Sequence, residues 1–345
     1  MTDLPRLGQH LRYDDHTLVY DVFGNERADR LTVVYLHGLL LDSELNWGIA
    51  GALAEQGHRV VCMDLLGHGR SDKPTHASEY RIDTYADQVF ALMDHLGIER
   101  AVLGGLSLGA NVSLFAATQR PERVAGLLLE MPVLERAVPS AALAFAPLIL
   151  MAHYGAPIME VTSRICRRLL PRTPFGPLNS VLGNAKESPK VIAAVLHGVL
   201  VGPVAPTQDD RAAITAPTLA LAHVNDLIHP FDDAQSLVEL LPNATLVRAR
   251  SPLELRLFPH RLTAEIVDFL ARLDDVEGGH GSRLGSAFHL SQPFLRDAEG
   301  PALHVDKLGG RDPVPELARG GQKEILSRLR YFDFGARISQ LRTLQ

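Results

Sequence analysis

The chain alternates between short runs of consecutive apolar residues and segments whose apolar positions recur every three or four. Residues 17–24 (TLVYDVFG) and 30–38 (RLTVVYLHG) are predicted strands divided by the polar turn NERAD. Residues 47–57 (WGIAGALAEQG) have helical spacing and close on a glycine suited to a helix end. A buried strand follows in 58–69 (HRVVCMDLLGHG), and 84–97 (TYADQVFALMDHLG) places Tyr85, Val89, Leu92, Met93 and Leu96 on one helical face. Residues 100–106 read as strand, 108–120 as helix and 123–130 as strand. Apolar strands separated by helices indicate an α/β fold whose sheet is mostly parallel, twisted and covered on both faces.

That rhythm stops between residues 131 and 216, where the chain is rich in Ala, Leu and Pro. It resumes with APTLALAH (216–223), ATLVRA (244–249) and the helical HRLTAEIVDFLARL (260–273). The expected division is an N-terminal core over 1–130, a helical lid over 131–216, the rest of the core over 217–273 and a poorly ordered tail over 274–345. Residues 137–159 carry no Asp, Glu, Lys or Arg and meet the length of a membrane span. Pro139, Pro147, Gly155 and Pro157 should break them into short pieces, so the expectation is buried or pocket-lining helix and no membrane span.

Composition narrows the function. A net charge of −6 leaves no electrostatic footprint for nucleic acid. The two cysteines, Cys62 and Cys166, form neither a disulfide framework nor a zinc site, which fits a reducing, cytoplasmic compartment. No metal-ligand spacing or phosphate loop is present, so no cofactor is expected.

Chemistry enters at Gly105-Leu-Ser-Leu-Gly109, placed between a predicted strand and a predicted helix. A sharp strand-to-helix turn there would expose the Ser107 oxygen, with flanking glycines letting the backbones pass. YLHGLLLD (35–42) ends an earlier strand, and DLLGHGRSDKP (64–74) follows the next. These three motifs, in this order, resemble the α/β-hydrolase superfamily over roughly residues 17–273. The resemblance implies the α/β-hydrolase fold, Ser107 as nucleophile, and an oxyanion hole from the N–H groups of Leu39 and Leu108. It also implies structural roles for His37 and His68. Dehalogenases and epoxide hydrolases of this fold carry aspartate at the elbow, so serine implies acyl transfer.

Relatives place an acid after a later strand and a histidine after the last one. Asp226, just past a strand in LALAHVNDLIHP, is the expected acid, with Glu130 the runner-up; a solvated turn residue is the plainer account of Asp226. The segment RSPLELRLFP, where the histidine should follow, contains none. Three alternatives stay open: His229, three residues after Asp226; His260, at the start of the last helix; or no base at all. Glu254 is a poor substitute, because a carboxylate near its ordinary pKa of about 4.3 is mismatched to a serine hydroxyl. The expected activity is hydrolysis of a small hydrophobic ester, thioester or lactone through an acyl-enzyme at Ser107. The competing class is a hydrolase-fold binding protein that has lost catalysis.

Overall fold

A computed structural model describes residues 4–278 apart from 26–29, 225 and 227. An eight-stranded sheet runs in the order β1-β2-β4-β3-β5-β6-β7-β8. β1 (Arg6–Tyr13) and β2 (His16–Phe23) form an antiparallel pair, and β2 lies antiparallel to β4 (Val60–Asp64). The remaining pairings are all parallel: β3 (Thr32–Leu36), β5 (Ala101–Leu106), β6 (Val124–Glu130), β7 (Thr218–Ala222) and β8 (Ala244–Arg248).

Alternate residues of each strand enter different cores, as a two-residue period requires. Val34, Leu36, Leu103 and Leu127 pack with α2 (Ile82–His95) and α3 (Leu108–Gln119). Val33, Tyr35, Val102 and Leu128 pack on the other side with α1 (Trp47–Glu55) and α11 (His260–Gly278). Burial on both sides explains why these strands read as continuous apolar runs.

Between β6 and β7 lie five helices: α4 (Ala137–Tyr154), α5 (Ala156–Leu169), α6 (Gly176–Asn184), α7 (Pro189–Val201) and α8 (Gln208–Ala212). Two polar side chains tie this insertion down. Asn111 of α3 donates to the carbonyls of Val133 (2.7 Å) and Val204 (2.6 Å), near its two ends. After β7 comes α9 (Phe231–Leu240), whose Asp233 accepts from the N–H groups of Leu134 (3.0 Å) and Ala137 (2.9 Å). A carboxylate there also favours the positive start of α4.

Two expectations need correction. Residues 137–154 form one continuous helix, not short pieces. Pro139 lies in the first turn, where its missing N–H has no acceptor to lose, and Pro147 frees only the carbonyl of Leu143, a residue 77% exposed and open to water. The break falls later, at Gly155. Of the two alternatives expected for this helix, buried or pocket-lining, burial does not hold: among its residues only Ala137, Ala141 and Ala152 are buried. It is the one helix among the described residues long and apolar enough to cross a membrane.

The helix α11 runs to Gly278, past the end expected near Leu273, and Asp274 on it accepts from Leu31 N–H at 2.9 Å. The rest of the expected tail, 279–345, lies outside the described residues.

Candidate active site

Ser107 stands alone between β5 and α3, with φ 52° and ψ −103°. A non-glycine residue held there is strained, and the surroundings must over-determine it. They do so through backbone. Ser107 N–H donates to Glu130 C=O (2.8 Å), and its own carbonyl accepts from Asn111 N–H (3.0 Å). Parallel pairing sets Gly105 opposite Leu36, and a Cβ on Gly105 would lie 2.4 Å from the Leu36 carbonyl oxygen. One on Gly109 would lie 2.7 Å from the same oxygen. Both glycines are there because β3 and the start of α3 leave no room for a side chain. The hydroxyl is left half-buried at the carboxyl edge of the sheet.

The loop after β7 brings two more side chains to it. His229 Nε2 is 2.9 Å from Ser107 Oγ, and His229 Nδ1 is 2.8 Å from Asp226 Oδ2. Asp226 accepts only, so Nδ1 carries the proton and Nε2 presents its lone pair to the serine hydroxyl. Asp226 Oδ1 accepts from the N–H groups of Ile228 (2.8 Å) and His229 (3.1 Å). Partial burial alone would push its carboxyl up. The hydrogen bond and charge of His229, with the two N–H bonds, outweigh that and hold it well below the usual carboxylate range. His223, the buried residue directly after β7, donates from Nε2 to Asp226 Oδ2 at 3.1 Å. Sequence reasoning passed over His223; its place three residues before Asp226 at a strand end was the available signal.

On the other side of Ser107 the loop after β3 bends at Leu40, whose φ is 58°. His37 Nδ1 donates to Gly38 C=O (2.9 Å), and its Nε2 accepts from Leu65 N–H (3.0 Å), so both ring nitrogens are used in joining two loops. His68 donates from Nδ1 to Leu66 C=O (3.0 Å). Burial, reinforced by His37, pushes its pKa down to about 3. These two rings are neutral parts of the scaffold. Leu108, the first residue of α3, has an N–H that the helix itself leaves without an acceptor.

The protein-family model for the alpha/beta hydrolase fold matches residues 32–152. The enol-lactonase of Burkholderia xenovorans LB400 superposes with a TM-score of 0.61 at 21% identity, over 76% of this chain and 100% of that one. The chain has the α/β-hydrolase fold. An AB hydrolase superfamily protein, YisY of Bacillus subtilis (strain 168), is 28% identical over 257 residues, which is 70% of this chain and 90% of the relative. The 3-oxoadipate enol-lactonase 2 of Acinetobacter baylyi (strain ATCC 33305 / BD413 / ADP1) is 26% identical over 256 residues, 68% of this chain and 86% of that protein. The structure titled Est816, an N-acyl homoserine lactone degrading enzyme, has a TM-score of 0.59 at 25% identity, covering 76% of this chain and 100% of that one. Three of these four proteins are named for acting on lactones.

In an α/β-hydrolase the loop after the last strand is where the histidine is expected, and here that loop is committed elsewhere. It forms a single turn, α10 (Glu254–Leu257). Glu254 takes two hydrogen bonds from Arg261, each 2.9 Å, and one from Arg250 N–H. Arg256 reaches back to Glu130 and to Asn46 Oδ1 (3.0 Å). Glu130, the runner-up acid, is held by Arg256 and by the Tyr35 hydroxyl (2.8 Å). His260 opens α11, and the ring that reaches Ser107 is that of His229. Among the described residues no group of three or more His, Cys, Asp and Glu is arranged to hold a metal ion.

Proposed function

We propose that this α/β-hydrolase is a serine hydrolase that cleaves a hydrophobic carboxylic ester, thioester or lactone through an acyl-enzyme. The observation that carries the proposal is the relay Ser107–His229–Asp226, with contacts of 2.9 and 2.8 Å. His229 Nε2 takes the hydroxyl proton as Ser107 Oγ bonds to the substrate carbonyl carbon. The resulting oxyanion receives the N–H groups of Leu39 and Leu108. Collapse of the tetrahedral intermediate breaks the bond to the leaving oxygen or sulfur, which takes the proton from His229. A water molecule, deprotonated by the same nitrogen, then releases the acid and restores Ser107. Asp226 holds the ring in the tautomer this cycle needs.

The helical insertion acts as the lid, and it supports the choice of an apolar substrate. Phe145, Leu148 and Ile149 of α4, Met159 of α5 and Leu196 of α7 pack in one cluster with Leu39 and Leu40, the residues of the proposed oxyanion loop. An acyl chain bound beside that loop would meet hydrocarbon. Lactonases among the relatives make a cyclic ester a natural first substrate to try.

Steady-state hydrolysis of p-nitrophenyl esters of increasing acyl length tests the reading. The expected result is kcat/KM that rises from acetyl to hexanoyl and is abolished by Ser107→Ala. Equal rates for wild type and Ser107→Ala would refute the mechanism, and rates that fall with chain length would refute the apolar site.

A further inference from the structure

α4 and α5 present hydrocarbon on both of their sides. Their inner sides carry the cluster next to Leu39 and Leu40. Their outer sides carry further apolar residues that, among the described residues, are exposed. On α5 the residues Ile158, Val161, Ile165 and Leu169 recur at helical spacing and all face solvent, Ile158 at 68% and Leu169 at 73% exposure. The buried Ser163 marks the opposite side of the same helix. Leu143 and Tyr154 (78% exposed) continue the surface along α4. Exposed large apolar residues gathered on two successive helices are unusual for a surface that meets only water.

Charge says what the face fits. Between residues 137 and 204, six of the eight charged side chains are basic, in a chain of net charge −6. Arg164 and Arg168 are exposed and precede Ile165 and Leu169 on α5, so they border the apolar stripe on one flank. Arg164 pairs along its own helix with Glu160 at 3.3 Å, a contact that an exposed anion can displace at little cost. A convex hydrocarbon ridge edged with guanidinium groups matches the boundary between acyl chains and negatively charged headgroups. The helix α4 has the length to span a bilayer, but its inner side packs against α7, which leaves only its outer side free to meet one.

We propose that the outer face of α4 and α5 docks on an anionic phospholipid surface. Leu143, Ile158, Val161, Ile165 and Leu169 enter the acyl region, and Arg164 and Arg168 sit at the level of the phosphates. The inner sides of the same helices share one cluster with Leu39 and Leu40, so the docked lipid lies on the oxyanion-loop side of the molecule. Docking does not depend on the catalytic role given to Ser107.

The test is co-sedimentation of the full chain with vesicles of phosphatidylcholine, and with vesicles of phosphatidylcholine mixed with phosphatidylglycerol. Binding is expected to the mixed vesicles and to weaken as salt rises from about 0.05 to 0.5 M, where screening shortens severalfold. Ile158→Glu with Ile165→Glu, and separately Arg164→Gln with Arg168→Gln, should each lower vesicle affinity at least tenfold. All four side chains are exposed, so neither pair should change the thermal unfolding midpoint. A full chain that stays in the supernatant with mixed vesicles overturns the proposal. So does a glutamate pair that still binds as wild type does. A dimer that the glutamate pair dissociates, with no vesicle binding by either form, gives the face to a second copy of the chain instead.

Discussion

The two sides of the sheet's carboxyl edge are built by different means. On the Ser107 side, backbone sets the geometry: a serine at positive φ and two glycines where β3 leaves no room for a side chain. On the other side, side chains set it: Asp226 and His229 are held by hydrogen bonds within one loop, with His223 behind them. A backbone device is tied to one place in the fold. A side-chain device can move, because all it must deliver is an imidazole nitrogen to the serine oxygen. Here the loop after β7 delivers it, while the loop after β8 carries the ion pairs of Glu254 and Arg256.

The sharpest way to break this contrast is to remove the imidazole. His229→Ala should lower kcat by about 10⁴- to 10⁶-fold, as Ser107→Ala should, because members of such a relay act as a unit. The double variant should be no slower than either single one. Asp226→Asn should cost about 10³- to 10⁴-fold by releasing the ring's tautomer. The Asp226 carboxyl, held well below the usual range, stays ionised in mildly acidic solution, so a loss of rate there does not come from its protonation.

The Ser107 side should instead answer to sterics. Gly105→Ala is expected to destabilise the fold by about 2–4 kcal/mol, read by chemical denaturation, because the new Cβ meets the Leu36 carbonyl at positive φ. That side also holds Asp42, whose carboxyl is raised to about 6 by burial and then by the charge of Asp64. The folded state keeps this proton to higher pH than the unfolded chain, so stability should fall as pH rises from about 4 to about 6 and then level off. Asp42→Asn should flatten that slope. The smallest effect belongs to His260→Ala, which should leave turnover within about twofold of wild type if the base is His229. A large loss there, with His229→Ala active, would move the base to the last helix.

How legible each part was follows from the same contrast. The elbow is legible because its glycines answer a steric demand that recurs wherever a strand turns sharply into a helix. The parallel strands are legible because both their sides are buried. β1 is not: it is a polar strand, RLGQHLRY, in which Leu11 is the buried residue. Its pairing with β2 is a backbone matter that side-chain pattern does not record. The continuity of α4 across Pro147 was hidden for a related reason, since the freed carbonyl of Leu143 is open to solvent. The commitments of Glu130 and Arg256, 126 positions apart in sequence, belong to tertiary structure alone. His229 could be named from sequence only as one of several alternatives, since its distance to Ser107 spans 122 positions.

If His229 activates Ser107, the rate of covalent labelling by a fluorophosphonate measures that activation. Wild type, His229→Ala and His260→Ala would be labelled under identical conditions, with the modified residue located by mass spectrometry and folding checked by circular dichroism. The expected result is modification at Ser107, fast in wild type and His260→Ala and slower by at least about a thousandfold in His229→Ala. Labelling of a folded His229→Ala at the wild-type rate would contradict the account.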